Sequence, residues 1–572
     1  MHSILYEAVI HHDECMQVKC LVPTGEAKPI DHPQYEKNKV LFFIENDRNI
    51  PRGLEMNLIY LKNSRLPRLA WLAEVDHAKQ TVSVQHGDSV ECCEHFFIEG
   101  VWNGDFSAGD FSSTDCIFGT GGVIQKDSVV FVSSASTTDY LYYASNDLGQ
   151  LSIANSLPLL LASMNDSLDP SFLGYNGIND TIAWGIDAYV QEIPTRKSVV
   201  KRLMYRNLYI GGSALQEVEK YMPPHFPSYS LYHEYIEANF ERIVKNARDY
   251  HRTTRVEICS TQSKGYDSTA VNAIAAKFGI DKVFTILKGK SPSHFATNDA
   301  HEQVDDDGRE ICRILKVASI PIERHAFETD FPKEYFYHAS LHRNQDMNFK
   351  EIEKYISPVS LLLTGSLGEM WYGKKNYENR PGFINDQLKR WDLASCGLSE
   401  VRLVIGFIQV PLIYIGARRR EDIISITESE EMAPWRLGTN YDRPIPRRIA
   451  EEAGVPREAF GQVKVASAVI FPMPSLPVGA NLRKEFFEFL VQENMQSKWE
   501  IWLWPLVLYV NGCLAFRYSR FKWLYYLERG LSKVLRRKVE FRPLWSHLKG
   551  AVYVFGVNKC VREYEDNLKY AK

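Results

Sequence analysis

One stretch limits the folds open to this chain more than any other. Val256-Glu257-Ile258-Cys259-Ser260-Thr261-Gln262 is an apolar, β-branched run that predicts a buried strand. Ser263-Lys264-Gly265-Tyr266-Asp267-Ser268 predicts a tight polar turn, and residues 270–278 predict a helix. A strand, a glycine turn and a helix in that order make an anion site. Backbone N–H groups of the turn and of the helix's first turn converge on one point, and the helix dipole reinforces them. The hydroxyls of Ser263 and Ser268 can donate to phosphate oxygens, and Asp267 can hold a magnesium ion that neutralises them.

The rest of the chain sets the frame for that unit. At 572 residues it exceeds what one core supports, so two domains and an appendage are expected. A net charge of -4 argues against bulk nucleic-acid binding. The ten cysteines include no C-x-x-C, which points to a reducing, cytoplasmic compartment without a structural zinc site. The start, Met1 to Glu7, lacks the basic and apolar regions of a secretory signal.

From Val40 to Ala162 short alternating segments are broken by Gly, Asp, Asn and Ser, as in antiparallel sheets. Residues 122–124, 128–132 and 139–144 read as strands, and 205–212 reads as a closing strand. Pro223, Pro224 and Pro227 mark a linker, and residues 231–244 have helical apolar spacing. Val283-Phe284-Thr285-Ile286-Leu287 reads as a second parallel strand, which makes a β-α-β unit with the first. Asp305, Asp306 and Asp307 precede another helix. They read as helix-capping acids, with a substrate or metal contact as the alternative. Residues 400–420 are very apolar, but their uncharged part falls short of the ~20 residues a spanning helix needs, so a buried element is expected.

The turn Ser263-Lys264-Gly265-Tyr266-Asp267-Ser268 resembles the pyrophosphate loop of the asparagine synthetase family, Ser-Gly-Gly-x-Asp-Ser, with Lys264 at the first glycine. Ser360 to Gly373 is similar to that family's second glycine segment, Ser-Gly-Asp-Gly-Ala-Asp-Glu-Leu-Phe-Gly-Gly. In that alignment Thr364 takes the serine position and Gly365 and Gly373 match. Ser366 replaces the first aspartate, Glu369 falls on the second, and Met370 replaces the glutamate. Pro411 matches a proline of the family's acceptor-pocket region. Phe460 to Ser467 looks like its late Arg-Pro-Lys-x-Gly-Phe turn, with Lys464 at the lysine. Residues 145–161 are similar to the glutaminase half's strand pair and short helix. The glutaminase cysteine that follows the initiator methionine is absent, since His2 stands there and the first cysteine is Cys15.

The resemblance implies a mixed α/β protein. Residues 1–215 would form an antiparallel β-sandwich of glutaminase (Ntn) type without its activity. Residues 225–490 would form a doubly wound parallel-sheet synthetase domain, and residues 491–572 a helical, basic and aromatic extension. It implies an ATP- and Mg2+-dependent ligase that forms an acyl-adenylate, releases pyrophosphate and makes an amide. Ser263, Lys264, Gly265, Asp267, Ser268, Thr364 and Gly365 would bind ATP, and Asp267 and Glu369 the metal. Lys464 would stabilise developing negative charge. The acceptor would be a small molecule, a glycan such as a polysaccharide uronic acid, or a peptide, and the donor ammonia or an amine. A catalytically degenerate nucleotide-binding or membrane-docking scaffold of the same fold is the alternative.

Aromatic and basic residues crowd the segment from Trp499 to Lys549. That composition suits either a helical cap or a helix at a membrane surface, and the oligomeric state stays open.

Overall fold

Alternation of apolar residues builds the first half of the chain. In the strand Thr81–His86, Val82, Val84 and His86 are buried and the residues between them are half-exposed. Strands of this kind form two seven-stranded sheets. The computed structural model describes residues 42–43, 56–145, 149–212, 214–289, 304–324, 331–341, 346–356, 358–378, 380–439, 442–461, 476–515, 517 and 521–569.

The first sheet is antiparallel throughout and centres on Ser128–Val132, Ile117–Gln125 and Phe96–Trp102. The second centres on Leu141–Ser145, Leu151–Ala154 and Trp71–Asp76, with one parallel pair at its edge between Asn57–Lys62 and Thr81–His86. The sheets share one apolar layer. Trp71 of the second meets Phe97 and Phe131 of the first at centroid distances of 5.0 and 6.1 Å. The strand pair expected before residue 161 leads into the helix Leu157–Ser163, whose Leu159 N–H donates to Ser156 Oγ at 3.3 Å. The expected closing strand is Asn207–Gly211. It is not the last, because Ala214–Val218 folds back beside it and extends the sheet.

The second half is built on a five-stranded parallel sheet. Its strands are β1 (Val256–Gln262), β2 (Lys282–Ile286), β3 (Ser319–Ile322), β4 (Val359–Thr364) and β5 (Phe407–Pro411). Their spatial order is β3-β2-β1-β4-β5. The apolar 400–420 stretch is the helix Val401–Ile405, strand β5 and the turn Leu412–Tyr414. Every residue of β5 is buried, as a parallel strand covered on both faces must be. Among the described residues no helix is long and apolar enough to cross a membrane.

The helix after β1 runs Tyr266–Ala275 and starts a turn earlier than its apolar spacing predicts. Burial of the Tyr266 ring against Phe460 supplies the reason, and Asp267 in the first turn suits the positive end of the dipole. One helix of the expected C-terminal extension belongs to the core. The helix Ala551–Lys569 packs on Leu157–Ser163 and on Glu334–Ala339. A Cβ at Gly556 would lie 2.7 Å from the Ala339 nitrogen, so glycine permits that crossing.

Candidate functional site

The chain leaves β1 to build β2 and β3 on one side, then returns to build β4 and β5 on the other. The order therefore reverses between β1 and β4, where open α/β sheets form a crevice at the carboxyl ends of their strands. The two glycine segments singled out in the sequence are the loops that leave these two strands. They are about a hundred residues apart in the chain and in contact in the fold. A Cβ on Gly365 would lie 2.9 Å from the Ser268 nitrogen and 3.0 Å from Asp267 Cβ.

The first loop is held in a defined shape by its own hydroxyls. Ser263 N–H donates to Ser268 Oγ at 3.1 Å, Gly265 N–H donates to Ser263 Oγ at 3.1 Å, and the two hydroxyls lie 2.8 Å apart. Lys264 N–H donates to Asp306 Oδ1 at 2.9 Å, and Lys264 O accepts from Gly461 N–H at 2.8 Å. The Lys264 ammonium turns away from the loop and pairs with Asp305. Gly265 is the N-cap of the Tyr266–Ala275 helix, and no side chain caps that end. The amides of the first turn thus face the crevice.

The acids at 305–307 divide between holding the first loop and the capping expected of them, which falls to Asp307. The helix that follows is Arg309–Ile314, with Gly308 at its N-cap. Asp305 and Asp306 serve the Lys264 segment, and Asp307 takes the Arg309 N–H and guanidinium. Gly308 lies so close to Gln262 that a Cβ there would meet its Cγ, which brings these acids against the end of β1.

Asp267 faces Arg443. One carboxylate oxygen, Oδ2, pairs with the Arg443 guanidinium, and Oδ1 is buried without a hydrogen-bond partner among the described residues. Gly368 of the second loop sits against this pair, and a Cβ there would collide with both side chains. Arg443 also lies over the Tyr372 ring, its Cζ 4.2 Å from the centroid. One helical turn on, Arg447 donates to the Tyr266 hydroxyl. These arginines flank the start of the helix Pro444–Glu452, and the spacing of four puts them on one face.

The second loop turns on Leu367, a non-glycine residue at φ 68°. Thr364 Oγ1 donates to Ser366 Oγ at 3.0 Å, and Ser366 reaches Ser395. Glu369 is enclosed. Its carbonyl accepts from Arg420 Nη2 at 2.8 Å, and its side-chain Oε1 is buried without a hydrogen-bond partner among the described residues. Burial, with the nearby Asp392 carboxylate, pushes the Glu369 carboxyl above its ordinary range, against the pull of Arg390 and Arg443. Both expected metal ligands therefore lie within the influence of Arg443. Among the described residues no group of three or more His, Cys, Asp or Glu is arranged to hold a metal ion.

Lys464 and Cys15 lie outside the described residues. The eight described cysteines form no disulfide. Burial pushes the thiols of Cys92, Cys116, Cys259, Cys312, Cys396 and Cys560 up, with Cys92 at about 12, which is the opposite of an activated nucleophile. Sequence reasoning overlooked Arg443, Arg447 and Arg420, all buried. The available signal was the i, i+4 pair of arginines around two prolines, Arg443-Pro444-Ile445-Pro446-Arg447. Neither a scan of protein-family models nor a search of curated proteins returns a match for this chain.

Proposed function

We propose that this chain is an ATP-dependent, AMP-forming ligase of asparagine synthetase type that makes an amide on a specialised carboxylate acceptor. One observation carries the reading: both glycine loops leave adjacent central strands at the reversal point of the sheet and touch there. Under this reading the two facing sheets are the glutaminase-type shell, and the parallel sheet is the synthetase half.

The residues present fit an ATP–magnesium pair. Asp267 offers a buried oxygen with no hydrogen-bond partner among the described residues, and Gly365 and Gly368 let the second loop approach it closely. One or two carboxylates suffice, because magnesium keeps waters and binds phosphate oxygens as well. ATP supplies the leaving group that makes a carboxylate reactive toward an amine. The protein's part is binding and electrostatics. Ser263, Gly265 and Ser268, with the amides of the helix N-terminus, would hold pyrophosphate, and Thr364 and Gly365 would border it. Asp267 and Glu369 would hold the metal. Arg443 keeps Asp267 in place and adds positive charge where phosphate oxygens would gather. Lys264 would join them by leaving Asp305, and Lys464 would oppose negative charge on the reacting carbonyl.

A second reading, a non-catalytic nucleotide-binding scaffold, draws on the same loops. Lys264 and Asp267 are already paired, with Asp305 and Arg443, and the loop's N–H groups bond within the protein. The two readings separate on nucleotide products. The protein is incubated with ATP, magnesium, ammonium and a metabolite extract of its source cells, beside an Asp267→Asn control. AMP and pyrophosphate that vanish in the control support the ligase. ATP binding by calorimetry without turnover supports the scaffold, and loss of both ends the two readings together.

A further inference from the structure

The exposed apolar surface of this protein is concentrated in one short segment. Of the twenty-three large hydrophobic residues that are exposed among the described residues, ten lie between Trp499 and Leu544. Trp502 is 74% exposed, Trp523 61% and Tyr526 64%, whereas the following helix, Ala551–Lys569, is buried from Ala551 to Val557 and again at Cys560, Val561 and Tyr564.

Two helices carry this surface. Trp504–Ala515 is apolar all round, which in water calls for burial on all sides, yet Leu506 and Tyr509 face out. Lys522–Leu535 is amphipathic, and most of its apolar face points away from the protein. Trp523, Leu527, Gly530 and Val534 recur at helical spacing on one outward stripe, while Leu524 and Glu528 turn inward. Glu528 is anchored there by the Arg517 guanidinium at 3.3 Å and by Phe541 N–H at 2.7 Å. The helix is thus held with its polar anchor inside and its tryptophan outside. Lys522, Arg529 and Lys533 flank the stripe, and Arg536, Arg537 and Lys538 continue from its end.

Charge decides between the occupants of such a face. From Arg517 to Lys549 there are ten Lys/Arg against two Glu, in a chain of net charge -4. In a two-fold contact the same basic surface would face itself, so a second copy is repelled. An anionic lipid surface attracts it. Tryptophan and tyrosine favour the headgroup level, and lysine and arginine reach to lipid phosphates beside them. Trp504–Ala515 has 12 residues and Lys522–Leu535 has 14, so these helices lie along a bilayer rather than cross it.

We propose that the face built by Trp504–Ala515 and Lys522–Leu535 docks this protein on the interfacial layer of an anionic lipid bilayer. The surface uses none of the crevice residues and does not rest on the ligase reading. The test is co-sedimentation of the full chain with vesicles of phosphatidylcholine alone or of equimolar phosphatidylcholine and phosphatidylglycerol. Binding to the anionic vesicles should be about tenfold or more above binding to the neutral ones, and molar salt should reduce it. The doubly substituted Trp523→Ser, Leu527→Ser protein should lose about tenfold, as should Arg536→Glu with Arg537→Glu. All four residues are exposed, so circular dichroism should match the parent. Lipids brominated in the upper acyl chain should quench tryptophan fluorescence in the parent and less so without Trp523. Equal recovery with both vesicles, or unchanged binding of either variant, overturns the proposal. So does a dimer in light scattering that the Trp523→Ser, Leu527→Ser variant dissolves.

Discussion

Arg402 and Arg443 each grip carboxylates presented by distant segments, and the two grips differ in what surrounds them. Arg402, on the Val401–Ile405 helix, reaches across to the first sheet. It donates to Glu99 at 2.7 and 3.0 Å and lies 2.5 Å from Asp139. All three side chains are at most 1% exposed, and Thr120 Oγ1 and Asn155 Nδ2 also donate to Glu99. Burial pushes the Asp139 carboxyl up to about 6 although a guanidinium touches it. Arg443 pairs with Asp267, which is 17% exposed and keeps one oxygen without a hydrogen-bond partner among the described residues. The first cluster is sealed from solvent and joins the two halves of the molecule, with Arg402 Nε and Asp139 Oδ1 meeting as an ion pair alone. The second is partly open to solvent and sits against both glycine loops.

Breaking the sealed cluster should have the largest effect. Arg402→Ala leaves two carboxylates buried without their cation, and should cost about 3–5 kcal/mol in denaturant melts. Loss much below that would mean that water enters the joint between the halves. The open pair should respond in activity rather than in stability. Asp267→Asn should lower AMP formation by a factor on the order of 100 while melting closer to the parent than Arg402→Ala does. If both variants lose equal stability, the contrast between the two arginines fails.

A smaller effect is expected at Gly368, where an added Cβ runs into Asp267 and Arg443. Gly368→Ala should cost about 1–3 kcal/mol and weaken ATP binding by calorimetry. Gly512→Ala, which meets nothing nearby, serves as its control.

The smallest effect is a pH dependence at Glu400, two residues from Arg402. Burial pushes this carboxyl up to about 7, although the Ser156 hydroxyl and Leu157 N–H donate to it. The folded protein therefore keeps a proton that the unfolded chain releases between the ordinary carboxylate range and about 7. This group's contribution to stability is greatest at low pH and is lost as pH rises through that window. Glu400→Gln cannot ionise, so its Tm relative to the parent should climb from pH 5 to pH 8. A flat difference would place water beside Glu400.

Period and punctuation made much of this architecture legible. Alternation predicted the strands at 128–132 and 139–144, and an apolar run ending in a glycine turn located β1 and β4 within a residue or two. The same signals placed the buried 400–420 stretch. Such features are local, because the pattern of apolar residues reports which face of a segment is covered. Ala214–Val218 was less legible, since its half-exposed edge carries little alternation.

The covering partner was not readable. An apolar stripe states that something must bury it and is silent on what does. Ala551–Lys569 and Lys522–Leu535 both carry such stripes within one aromatic tail, yet one fills the core and the other faces outward. Likewise Ser263, Asp267 and Gly365 announce polar turns, while the contact between the two turns arises only because strand order reverses between β1 and β4. Pairing of Asp267 with Arg443 and of Lys264 with Asp305 joins residues 176 and 41 positions apart. Local propensity determined the strands, turns and helices. Packing of elements distant in the chain decided which charges meet, because that choice depends on the burial they share rather than on their neighbours in sequence.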